Sequence, residues 1–155
     1  MRRIVLLGWL LVACSAPAQI RDLQEAEDHE RAGRYHSALR SYEAAQQSCQ
    51  SVKSKRRRQE VCAAARLQHA ELLVSMKRYP EALRAYHQAE EELQSQQPDA
   101  AQASYSAALL YLETEDIEAA YRYLWKTITH YPNEAFAADA LKRLLRDGRE
   151  RAPEA

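Results

Sequence analysis

Gly33-Arg34-Tyr35-His36-Ser37-Ala38-Leu39-Arg40-Ser41-Tyr42-Glu43-Ala44-Ala45 is answered 44 residues on by Lys77-Arg78-Tyr79-Pro80-Glu81-Ala82-Leu83-Arg84-Ala85-Tyr86-His87-Gln88-Ala89. The two stretches share Arg-Tyr, Ala-Leu-Arg, a second Tyr and a closing Ala at equal offsets. The pattern returns more faintly as Asp116, Ile117, Ala120, Tyr121, Leu124 and Thr127. Ala three or four residues from Tyr or Leu puts small and large side chains on one helix face, which a second helix can approach closely. A unit this short cannot bury that face alone and must stack on its copies. The expected fold is all-α, built of antiparallel helix pairs.

These residues resemble the second half of the tetratricopeptide repeat, over roughly residues 19–147. In that family Ala, then an aromatic four residues on, then often Pro eight later, marks the second helix of each pair. Ala38 and Tyr42, Ala82 and Tyr86, and Ala120 and Leu124 fit, and Pro132 stands at the terminator of the third copy. The first helix of each pair fits less well. Its small residue is present as Ala26, Ala70 and Ala108, but Asp22, Arg66 and Ser104 stand where the family has Trp, and His29, Leu73 and Tyr111 where it has Tyr. The resemblance implies a short right-handed superhelix of about three repeats with a C-terminal capping helix. An unrelated antiparallel bundle is the alternative.

The copies lie 44 and 38 residues apart, against a usual period of about 34. Four extra residues make about one helical turn, expected in a longer fourth helix through Glu90, Glu91 and Glu92. Ten extra residues predict an excursion around Ser51 to Arg58. Helices are expected at about 20–33, 35–49, 57–76, 80–96, 98–113, 116–130 and 134–146. Gly33 ends the first, Pro80 and Pro98 open the fourth and fifth, and Pro132 stops the sixth. Asn133 caps the seventh and Gly148 closes it, giving a domain over 20–147 and a tail over 148–155. With Phe136, Ala140, Leu141 and Leu144 apolar and no partner helix after it, the seventh helix is the expected end cap.

Met1, Arg2 and Arg3 precede an apolar run, Ile4 to Val12, too short for the roughly twenty residues of a spanning helix. A basic start, a short apolar core and small residues read as an export signal over 1–13. Leu11-Val12-Ala13-Cys14 resembles a bacterial lipobox, which implies cleavage before Cys14, acylation of that Cys and a short tether over 14–19. Ser15, not Asp, follows the Cys, which in such lipoproteins implies the outer membrane, facing the periplasm. Ala16-Pro17-Ala18 offers a second reading: ordinary signal cleavage, discarding Cys14 and releasing a soluble periplasmic protein.

Without residues 1–13 the chain carries 20 basic and 22 acidic residues, no field that would drive nucleic-acid binding. Cys49 and Cys62 then remain as an even pair, which in an oxidising compartment favours a disulfide across the turn between helices two and three. Two buried free thiols are the alternative. Between them Lys53-Ser54-Lys55-Arg56-Arg57-Arg58 reads as a solvated loop and helix start, or as a contact for anionic lipid head groups.

No catalytic pattern is present: there is no Gly-rich phosphate loop and no nucleophile motif. The five histidines, His29, His36, His69, His87 and His130, include no pair three or four apart, so no metal site is expected. Neither a cofactor nor a small-molecule substrate is expected. Glu90 to Glu92 reads as a wet helix surface, and Tyr123, Trp125 and Tyr131 as packing.

What remains is protein binding. The resemblance implies a concave groove lined by the first helices, with Leu23, Leu67 and Tyr105, then Glu27, Glu71 and Leu109, at its binding positions. The family's Lys and Asn clamp for a terminal carboxylate is missing there. An apolar strip edged by Glu27 and Glu71 suits an amphipathic segment with a basic edge. The expected function is therefore a non-enzymatic scaffold, a membrane-anchored lipoprotein of the bacterial cell envelope that docks another envelope protein. His130 to Ala140 resembles the repeats of outer-membrane assembly and cell-division-linked periplasmic proteins. The alternative is an accessory subunit of an envelope enzyme, assembly or secretion complex.

Overall fold

The structure is a computed structural model that describes residues 18–151. Seven α-helices follow one another: α1 (Ala18–Arg31), α2 (Tyr35–Ser48), α3 (Lys55–Ser75), α4 (Tyr79–Glu92), α5 (Gln97–Glu113), α6 (Ile117–His130) and α7 (Ala135–Arg151), with a 3-10 turn at Cys49–Ser51. No strand occurs among the described residues. Each helix packs against the next, and the odd-numbered helices also touch in series, α1 on α3, α3 on α5 and α5 on α7. The backbones of the even-numbered helices do not approach one another in this way; α4 and α6 meet only through long side chains. The odd helices thus form an inner layer and the even ones an outer layer.

The sequence copies reappear as identical turns. After α1, α3 and α5 the chain takes one left-handed residue, Gly33 (φ 71), Lys77 (φ 57) and Glu115 (φ 63). The amide of the next residue reaches back to the helix in each case: Arg34 to the His29 carbonyl at 2.8 Å, Arg78 to Leu73 at 2.9 Å, Asp116 to Tyr111 at 2.9 Å. This arrangement satisfies carbonyls that a helix end leaves without partners. Asp116 also accepts the Ala119 amide at 3.1 Å, a side-chain N-cap that Arg34 and Arg78 lack.

The small residues are the contact points. Ala26, Ala70, Ala108 and Ala140 in the odd helices, and Ala38, Ala82 and Ala120 in the even ones, are fully buried. Tyr42, Tyr86 and Leu124 are buried at matching places, as are Ala45, Ala89 and Thr127. Thr127 breaks the apolar pattern without leaving a polar orphan, because its hydroxyl meets Ser104 Oγ at 3.0 Å and the Tyr123 carbonyl at 2.9 Å.

The added length sits elsewhere than expected. α4 has 14 residues, the same as α2 and α6, whereas α3 has 21 and α5 has 17. The anticipated excursion around Ser51 to Arg58 is mostly helix: Lys55 onward belongs to α3, since Lys and Arg are good helix formers and Ser54 sits at the N-cap. The fourth helix ends at Glu92, and Glu90 is buried rather than wet. Gly148 does not close α7, which continues to Arg151; a helix tolerates an internal glycine at about 1 kcal/mol. Asn133 lies in the turn before Ala135, not at the cap. The signal and Cys14 lie outside the described residues.

Cys49 and Cys62 are joined as a disulfide with Cα atoms 5.3 Å apart. Val61 and Leu23 pack around them, so the bond closes the α2–α3 turn onto α1.

Two outcomes test this framework. Lys77→Gly should raise stability by about 1 kcal/mol, the left-handed penalty of a side chain less the added freedom of the unfolded glycine; the urea midpoint reads it, and Lys77→Ala should bring no such gain. Thiol titration of unfolded, unreduced protein should find neither Cys49 nor Cys62 free, and replacing both by Ala should lower stability by about 3 kcal/mol, as for a loop of this length.

Candidate functional site

The inner layer leaves one face of each odd helix open, and the buried alanines bring these faces into register. The residues that follow Ala26, Ala70, Ala108 and Ala140 are Glu27, Glu71, Leu109 and Leu141. One turn further on stand Arg31, Ser75, Glu113 and Leu145. The face is therefore charged and polar on α1 and α3, mixed on α5, where Leu109 is followed by Glu113, and apolar on α7. Leu109, Leu141 and Leu145 are among the few large apolar side chains left exposed.

Between α1 and α3 lies a depression of about 480 Å³ lined by Glu27, Glu30 and Arg31 of α1, Tyr35 and Tyr42 of α2, and Gln68, Glu71 and Ser75 of α3. Its carboxylates meet only neutral donors. Gln68 Nε2 donates to Glu27 at 3.4 Å, Tyr42 Oη to Glu30 at 2.8 Å, and Gln102 Nε2 to Glu71 at 3.3 Å. Arg31 is drawn to Asp28 at 2.8 Å. Burial raises the Glu71 carboxyl above its ordinary pKa, with Glu30 adding to the rise and the Gln102 bond opposing it. Burial also raises Tyr42, helped by its bond to Glu30. The depression holds more negative charge than it neutralises, the condition that favours a cationic side chain from outside. A second depression of about 200 Å³, against Val74, Tyr86, Leu109 and Glu113, lies beside it and is mostly apolar.

The residues picked out by sequence fall in different places. Glu27 and Glu71 share the first depression, and Leu109 lines the second. Leu67 is buried in the main core. Leu23 is half-buried against that core and the disulfide. Tyr105 is half-buried, its ring 5.8 Å from that of Phe136, and it borders a recess between α5 and α7 that is rimmed by Lys142, Arg143 and Arg146. Leu141, expected to pack in the cap, is exposed together with Leu145, and their spacing of four residues marks one helix face.

A second cluster ties the outer layer together. Glu90 is buried and accepts from Lys126 Nζ at 2.7 Å and from Tyr131 Oη at 3.1 Å. Lys126 lies 5.2 Å from the Tyr123 ring centre, and His87 stacks on Tyr123 at 4.9 Å. Tyr123 and Tyr131 are packed, as expected, but Trp125 is 61% exposed. The partners of Glu90 lie 36 and 41 residues away, beyond any local pattern. This cluster is a strut rather than an open site, because its carboxylate is enclosed and twice bonded.

Among the described residues no group of three His, Cys, Asp or Glu side chains could hold a metal ion, and no helix is long and apolar enough to cross a membrane. No family model matches the chain, and no curated protein matches it.

Burial lowers the pKa of His69 and of His87, in the second case with Lys126 adding to the effect. Both rings are therefore held neutral in the fold but take up protons near pH 6.5 when unfolded. Their contribution is complete above that pH and is lost as the pH falls towards the lowered folded values. Glu71 and Asp99, raised by burial, act with the opposite sign at lower pH. The urea midpoint should fall between pH 7.5 and pH 6, about the range in which histidine titrates, and His69→Gln with His87→Gln should flatten that fall; an unchanged slope in the double variant rules out these two rings as its source.

Proposed function

We propose that the chain is a non-enzymatic scaffold of the bacterial cell envelope, a tetratricopeptide-like repeat lipoprotein anchored through Cys14, that docks a segment of another envelope protein across its odd helices. The observation that carries this reading is the open inner face, with Glu27 and Glu71 at the positions where α5 and α7 present Leu109 and Leu141. Support for the repeat assignment comes from the three equivalent turns at Gly33, Lys77 and Glu115 and from the close backbone approach of the odd helices in series. The right-handed superhelix and capping role of α7 belong to the same proposal. Such a face suits an amphipathic segment with basic residues towards α1 and apolar ones towards α7. Nucleic acid and small-molecule substrates have no place in this reading.

A second reading, an accessory subunit seated on a larger envelope enzyme, assembly or secretion complex, is favoured by Trp125. Among the described residues it is the most exposed of the large apolar side chains, and it lies on an outer-layer helix.

Photocrosslinkers placed at Leu109 and at Trp125 in native membranes, with mass spectrometry of the products, separate the two. Leu109→Ala with Leu141→Ala should weaken capture of the crosslinked partner by about 1–3 kcal/mol and leave the unfolding midpoint nearly unchanged, because both side chains are exposed. Glu71→Lys should slow association chiefly at low salt. If the inner-face variants capture normally while Trp125→Ala does not, the accessory-subunit reading replaces the groove.

A further inference from the structure

We infer that the end of the molecule formed by the α2–α3 turn is a binding surface for an anionic phospholipid bilayer. Lys53, Lys55, Arg56, Arg57 and Arg58 place five cations within six residues. The first four are exposed. Arg56 pairs with Glu60 at 3.0 Å, while Lys53, Lys55 and Arg57 have no carboxylate partner among the described residues. Four of these cations occupy the first turn of α3, which holds no acidic residue. A helix N-terminus carries partial positive charge and disfavours cations, so although Lys and Arg form helices well, the concentration of charge at this end works against the helix dipole.

The turn is also held in place. The Cys49–Cys62 disulfide flanks it, Val52 is buried, and Arg58 Nη1 donates to the Val52 carbonyl at 3.3 Å. The cations therefore ride on a fixed surface and need little ordering when they meet a charged plane. Of the carboxylates that α1 and α3 carry near this end, Asp22 accepts from Ser48 at 2.9 Å, Glu25 pairs with Arg21 at 3.8 Å, and Glu60 takes Arg56. None of them neutralises Lys53, Lys55 or Arg57.

The start of α1 lies at this same end, because Asp22 is bonded to Ser48 and Leu23 packs on the disulfide. The chain before Ala18 therefore departs from the basic end. Cys14 is four residues from Ala18, which at full extension reaches about 14 Å. An acyl group there holds the basic turn near the bilayer, where anionic lipid attracts each Lys or Arg by about a fivefold factor in partitioning. The orientation rests on the anchor proposed above; the preference for anionic lipid does not, since it follows from the cations alone.

Sedimentation of the full chain with vesicles of phosphatidylcholine, and with vesicles in which phosphatidylglycerol replaces a third of it, tests this. Wild type should partition onto the anionic vesicles on the order of a hundredfold more strongly at low salt, and the ratio should shrink at high salt. Lys53→Gln, Lys55→Gln, Arg56→Gln and Arg57→Gln combined should bring the ratio close to one, with circular dichroism and the unfolding midpoint unchanged. A ratio that survives the four substitutions, or tighter capture by polyglutamate than by the anionic vesicles, overturns the proposal. Binding to neutral vesicles reads the anchor separately: its absence from wild type removes the acyl reading while leaving the anionic preference to stand or fall by itself.

Discussion

Four alanines, one in each odd helix, set the spacing of the inner layer. Ala26, Ala70, Ala108 and Ala140 have no surface left for solvent. A methyl group there lets neighbouring helices approach at the close end of the usual range of about 8–10 Å between axes. The other features follow from that approach. Ala38, Ala82 and Ala120 repeat the device between layers, and Tyr42, Tyr86 and Leu124 fill the space one turn on. The buried apolar residues form one main cluster with smaller ones at the disulfide and around Ala108, Leu124 and Ala140.

The helix pairs were legible in the sequence because the alanine and tyrosine positions recur with the helical period, and each must be small or large for a steric reason. The place of the extra length was not. A run such as Lys55 to Arg58 has helix propensity and high charge together, and whether it forms a loop or the first turn of a helix depends on what anchors the preceding residues. Here the disulfide and buried Val52 end the turn early and let α3 begin at Lys55. Glu90 was read as solvated for a related reason. Its burial is compensated by Lys126 and Tyr131, which only the tertiary fold brings to it.

The inner face was legible in part. Glu27 and Glu71 line a shared depression, while Leu67, picked by the same register, lies in the core. Two positions on one helix four residues apart look equivalent in a list of side chains, yet Leu67 points between packed helices and Glu71 does not. The difference comes from the neighbours that pack on α3, which periodicity does not encode. Leu141 and Leu145 show the converse. Apolar spacing on the last helix suggested packing, but no helix follows among the described residues to cover them.

The two charged regions are separate in space and differ in what they can do. The acidic depression lies along the sides of α1 and α3, while the basic turn lies at their ends. With that end seated on a bilayer, as proposed, α3 can reach up to about 30 Å from the lipid, the length of its 21 residues at the helical rise. If α3 stands upright there, the open face of the odd helices looks sideways, and a segment crossing from α1 to α7 would run along the membrane rather than into it. A partner tethered to the same membrane can reach this face without leaving the surface. Its search is confined to a layer tens of ångströms deep, which raises its effective concentration as a short linker would. On the proposed reading, contacts at Leu109, Leu141 and the Glu71 carboxylate then need to supply only part of the affinity.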